Sequence, residues 1–165
     1  MKKTIFILLL TAISFVTPII LVVKNVKFNQ NCAGYLKQTA DANTVDLAIS
    51  RLNMALDYIE ANNLTEGYTS VLWKTEADNI DFWYQNLKSC QMELKDGING
   101  TQLEKTNLLM KVRESLVDTD SGGTTLTIPH GISRYPNNAI WAILNTISML
   151  IWVALIGYGV NVIVE

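Results

Sequence analysis

TIFILLLTAISFVTPIILVV, residues Thr4–Val23, runs for twenty residues without a charge. At about 1.5 Å per residue, an α-helix of that length reaches about 30 Å, the depth of a bilayer's hydrocarbon core. A second stretch, AIWAILNTISMLIWVALIGYGVNVIV, covers Ala139–Val164 and carries no charge over twenty-six residues. Nearly all the charge lies between them. The sequence therefore predicts an all-α membrane protein with an N-terminal and a C-terminal transmembrane helix. These flank a small extracytoplasmic bundle of three to four helices with an extended Gly/Pro-containing return segment.

The chain has 165 residues, 49% of them hydrophobic and 17% charged, against roughly 25% charged in ordinary soluble domains. From Phe28 to Asn138, fourteen Asp/Glu face nine Lys/Arg. An acidic domain has no electrostatic reason to bind phosphate backbones, so nucleic acid is not an expected partner.

The first span reads as an uncleaved anchor. Its apolar run exceeds the usual signal-peptide core of about 7–15 residues. Val22-Val23-Lys24-Asn25-Val26-Lys27 also puts bulky and charged residues where a small cleavage-site residue is wanted. The amino terminus with Lys2 and Lys3 faces Lys24 and Lys27 across the span, a small bias toward a cytoplasmic N-terminus over residues 1–3. Two spans, 4–23 and 139–164, then place residues 24–138 outside the cytoplasm. The Met-Lys-Lys start suggests a bacterial inner membrane.

Within the middle domain the spacing predicts three helices, at about 43–62, 75–96 and 101–119. Asn43-Thr44-Val45-Asp46 offers a cap, and Val45, Ala48, Ile49, Leu52, Leu56 and Ile59 follow at steps of three and four. Thr75-Glu76-Ala77-Asp78 opens the second helix, whose stripe is Ile80, Trp83, Leu87, Cys90 and Leu94, and Asp96-Gly97 closes it. Thr101-Gln102-Leu103-Glu104 is a capping box for the third, with Leu109, Val112 and Leu116 on one face. Residues Asn31–Ala42 prolong the first membrane helix or pack as a fourth member. Leu64–Trp73 reads as a structured loop. Gly122-Gly123, a β-prone Thr124–Ile128 run, Pro129 and Pro136 require an extended return over Ser121–Tyr135.

Chemistry is sparse. The single histidine, His130, has no partner at metal-ligand spacing. It reads as a turn residue, with a haem or chlorin ligand as the sharper alternative. Asp78 and Asp81 suit a helix start. Asp118-Thr119-Asp120 lacks the Gly and Glu positions of a calcium loop. No nucleophile or phosphate-loop motif is present, so no catalytic residue, metal or resident cofactor is expected. Cys32 and Cys90 would close a disulfide loop of about sixty residues outside the cytoplasm, worth roughly 4 kcal/mol.

Two surfaces suggest partners. In the first span Thr4, Thr11, Ser14 and Pro18 fall on one face, and in the second Ala142, Asn145, Ser148, Trp152 and Gly159 do likewise. Small and hydroxyl residues allow close helix approach in lipid. The two stripes pack on each other, or they leave one face for other subunits. Tyr68, Trp73, Phe82 and Tyr84 surround the core residue Trp83, as core aromatics or as a partner surface.

Two spans around an extracytoplasmic bundle resemble, in layout alone, the sensory half of bacterial chemoreceptors and histidine kinases. Those proteins continue into a signalling domain after the second span, whereas only Glu165 follows Val164 here. The expected function is a non-catalytic accessory subunit of a larger membrane complex, with other integral membrane subunits and the lipid bilayer as partners. The alternatives are a ligand-binding or sensing module near Tyr68–Tyr84 and, third, a cofactor-binding subunit using His130.

Overall fold

The computed structural model describes the backbone of residues 2–120 and 123–164, and the packing of residues 11–12, 14–119 and 123–157. It is mostly helical. Helix α1, Lys2–Phe28, passes without a break through a π-helical turn, Asn29–Ala33, into α2, Gly34–Ala40. The first apolar stretch and the start of the domain are thus one continuous rod. Gly34 donates its N–H to the Asn29 carbonyl five residues back. A Cβ at Gly34 would stand 2.9 Å from that oxygen, which is why the wide turn closes on glycine. Phe28, Cys32, Leu36 and Ala40 are all buried. A row spaced by four drifts around a helix of 3.6 residues per turn, and the wider π turn absorbs part of that drift. The row therefore keeps facing α3.

Helix α3, Val45–Ala61, starts at Thr44, whose side chain accepts from the Leu47 N–H. Val45, Ala48, Leu52, Ala55, Leu56 and Ile59 are its buried stripe. Helix α4 covers Ile80–Asp96 rather than starting at Thr75. The Thr75 hydroxyl reaches the Asp78 carboxylate at 2.5 Å, Glu76–Asp78 forms a single 3-10 turn, and Asn79 is the true cap, accepting from the Phe82 N–H. Two adjacent capping signals compete, and the bridge between Tyr68 and Asn79 holds the chain extended just before Ile80. Helix α5, Gln102–Leu116, opens on the reciprocal Thr101–Glu104 capping box.

Helix α5 does not reach residue 119. Val117–Asp120 is strand β1, paired antiparallel with β2, Gly123–Leu126, with Val117 opposite Leu126. The mostly helical domain therefore carries a small hairpin that takes in the end of the expected third helix and the start of the extended return. Val117, Thr119, Thr124 and Thr125 are β-branched, which suits a pleated pair better than a helix end.

Helices α2, α3, α4 and α5 enclose one core, with Leu36, Leu52, Leu56, Ile59, Ile80, Leu87, Leu94 and Val112 almost fully buried. The chain returns through residues 127–137, anchored by buried Ile132, and Tyr135-Pro136 is cis. It then enters α6, Asn138–Val164, which runs antiparallel against α1. Asn138–Gly157 is long and apolar enough to cross a membrane, with a mean hydropathy of 2.1. Only 6% of that window is buried within the chain. Side chains 4–10 of the first apolar stretch lie outside the described residues.

Candidate functional site

The two apolar helices meet through Ser14 and Phe15 of α1 and Ser148 and Trp152 of α6. The Ser148 hydroxyl donates to the Ser14 carbonyl at 2.6 Å, and the Ser14 hydroxyl donates to the Thr11 carbonyl at 2.8 Å. Phe15 and Trp152 pack edge to face at 4.8 Å, and the Lys24 ammonium lies 5.7 Å from the Trp141 ring centre. Ser14 and Ser148 are buried, while Thr11, Pro18 and Trp152 are half-buried. Ala142 and Asn145, assigned to the same stripe, are exposed instead. The helices cross through Ser148 and Trp152, which turns those two residues outward. Gly159 and Thr4 lie outside the residues whose packing is described.

Where the antiparallel α1–α6 pair, a helical hairpin closed by the domain, joins that domain, two segments are strapped together. The Asn138 side-chain amide donates to the Thr69 carbonyl at 2.7 Å and to the Gly131 carbonyl at 3.2 Å. Thr69 is buried, and its N–H donates to the Asp78 carbonyl. Gly67, with a φ of +101°, lies so close to Tyr135 that a Cβ would collide with the tyrosine hydroxyl. The loop after α3 is therefore fixed to the first residue of α6.

The four aromatics near this loop separate. Tyr84 donates to the Glu60 carboxylate at 2.7 Å; that bond raises the tyrosine pKa and lowers that of Glu60. Tyr68 is half-buried, with the Lys74 ammonium 5.0 Å above its ring. Trp73 and Phe82 are left exposed, at 76% and 60%. Leu72, beside Trp73, is equally exposed, and no spacing rule marks it in advance.

Comparison with protein-family models, with curated proteins and with solved structures gives no match.

A cavity of about 360 Å³ opens between α4, the end of α5 and β2, lined by Phe82, Trp83, Leu87, Cys90, Leu116 and Leu126 among others. The Trp83 indole N–H is buried beside it with no hydrogen-bond partner. A groove of about 600 Å³ runs between Leu21, Val22, Asn25 and Asn29 of the continuous rod, the return segment from Ile128 to Arg134, and Asn145 of α6. His130 stands exposed on its rim. Among the described residues that line it, there is no second histidine, cysteine or methionine to complete an axial pair.

The cysteines are not bonded. Cys32 and Cys90 are both free and buried. Cys32 sits in the π turn against Tyr58 of α3, whereas Cys90 lies on α4 beside Ser115 of α5. Each thiol faces a different helix, which is the physical reason the expected pairing fails. Burial pushes the Cys32 thiol up to about 12 and also raises Cys90, so both behave as small apolar groups rather than nucleophiles. Among the described residues no three His, Cys, Asp or Glu side chains come together to hold a metal.

Proposed function

We propose that this chain is a non-catalytic accessory subunit of a larger bacterial membrane complex. It is held by two transmembrane helices, with its helical domain outside the cytoplasm. Asn145 carries the reading. Its amide lies about two turns into α6, exposed, and among the described residues it makes no side-chain hydrogen bond. An unpaired amide at that depth in hydrocarbon is costly, and a helix partner removes the cost.

Further support comes from the hairpin itself. Ser14, Ser148, Phe15 and Trp152 use the inner face, leaving Ile143, Ile147 and Leu150 outward for lipid or another subunit. The charge-free Thr4–Val23 stretch supports a first span beside α6; Lys2, Lys3 and the terminal amine against Lys24 and Lys27 give a small bias toward an N-terminus inside.

The test is purification of the full chain from its native membrane in mild detergent. The expected result is co-migration with a fixed partner that is lost in Asn145→Leu while the domain stays folded. A chain that migrates alone and gains thermal stability with a metabolite overturns this reading. That outcome favours the second one, an extracytoplasmic ligand-binding module. Its support is the cavity beside Trp83, with an indole N–H left without an acceptor.

A further inference from the structure

We propose that Val71-Leu72-Trp73 is an interfacial anchor that inserts into the headgroup–acyl boundary of the bilayer crossed by α6. The inference rests on the membrane reading above and adds a third point of attachment to it.

The three residues are consecutive, apolar and exposed at 49%, 76% and 76%. The core does not use them, although the same loop buries Leu64 and Thr69 on either side of Gly67. Their exposure is not slack in the chain. The Ser70 hydroxyl donates to the Trp73 carbonyl, closing a tight turn with Val71 and Leu72 at its tip. The base of the loop is pinned by the Asn138–Thr69 bond at 2.7 Å and by the contact of Gly67 with Tyr135.

Asn138 is the first residue of α6, so this bond sets the loop at the level where the chain enters the membrane. Leu72 is three residues from Thr69, a reach of at most about 10 Å. Each interfacial layer is about 5–8 Å deep, the difference between a bilayer with and without its headgroups. The loop is thus long enough to enter that layer and too short to pass beyond it. Tryptophan and leucine suit such a boundary, the indole keeping its N–H toward water.

Insertion is apolar rather than electrostatic. Glu66, Lys74, Glu76 and Asp78 flank the tip, and Lys74 is engaged over Tyr68. The anchor therefore works on neutral lipid. A partner protein covering the tip is the competing occupant, and the pinning to Asn138 favours the bilayer.

The experiment places an environment-sensitive nitrobenzoxadiazole dye on the full chain at Leu72→Cys, Leu150→Cys or Leu103→Cys. The native thiols Cys32 and Cys90 are 0% and 6% exposed and stay unlabelled. Leu150 reports the span. Leu103 lies past the far end of α4, which starts at the loop and runs away from it for 17 residues. The labelled chains are reconstituted in phosphatidylcholine vesicles doped with shallow or deep nitroxide lipids.

The expected pattern is deep quenching at Leu150, none at Leu103, and a blue-shifted Leu72 signal quenched more by shallow than by deep nitroxide. If Leu150 is quenched and Leu72 reads like Leu103, the anchor is overturned and the membrane reading stands. If Leu150 is not quenched, the membrane reading falls and takes the anchor with it.

Discussion

Ser148 donates its hydroxyl to the carbonyl of Ser14, at 2.6 Å across 134 residues of sequence. The residue four places after Ser14 is Pro18, which lies inside α1. In an uninterrupted helix the Ser14 carbonyl would accept from the N–H of residue 18, and proline has none. Ser148 supplies the missing donor. In lipid, helix-interior proline is tolerated when a neighbouring Ser or Thr satisfies the freed carbonyl in this way.

This relationship predicts a rescue. Ser148→Ala strands the carbonyl and should destabilise the hairpin by about 1 kcal/mol, within the range of interhelical bonds in membranes. Pro18→Ala restores the intrahelical donor, so in the double variant Ser148→Ala should cost clearly less. Thermal unfolding in mild detergent, analysed as a double-mutant cycle, measures the coupling. Additive effects would show that the two residues are not linked.

Cys32 predicts a pH dependence. Its folded pKa is raised to about 12 by burial, so the folded state retains its proton where the unfolded thiol has lost it. The sign follows: stability is full below the unfolded value near 9 and falls as pH rises from there toward about 12. Cys32→Ala should flatten this slope relative to wild type, with tyrosine and lysine titrations common to both. Urea midpoints from pH 8 to 11 provide the comparison.

Gly67→Ala meets two obstacles, a φ of +101° and the Tyr135 hydroxyl where its Cβ would go. A loss of about 1–3 kcal/mol is expected from backbone strain alone. Faster amide exchange at Thr69 and Ile80, whose N–H groups donate to Asp78 and Gly67 carbonyls, would localise the damage to the loop. Unchanged protection there would exclude the strap.

Core and cap should separate cleanly in the domain. Leu52→Ala empties a fully buried site and should cost about 2–5 kcal/mol. Thr101→Ala removes the capping box and should cost about 1 kcal/mol. Leu103→Ala, on a side chain 70% exposed, should be nearly neutral. Chemical denaturation of the three variants ranks them.

Much of this molecule is legible in the sequence because local rules suffice for it. The charge-free run of α6, the stripes Ile80-Trp83-Leu87-Cys90-Leu94 and Val45-Ala48-Leu52-Leu56-Ile59, and the Thr101–Glu104 box depend on composition, helical period and a reciprocal bond three residues long. Where two local signals overlap, as at Thr75–Asp78 and Asn79, the sequence leaves the choice open. The Tyr68–Asn79 bridge makes it, a contact across eleven residues.

What only the tertiary structure decided are the relations that spacing cannot encode. Cys32 and Cys90 look like a pair in one dimension, yet they face α3 and α5 respectively. Trp73 suits a core or a partner surface equally in one dimension, and the loop's ties to Asn138 and Tyr135 leave it exposed beside Leu72. Pro18 falls on the same face as Ser14 in one dimension, and only the packing brings Ser148 to the carbonyl that the proline orphans. Each of these turns on which face meets which neighbour across a long separation. Helical period fixes a face, and only the packing of one helix on another fixes what that face meets.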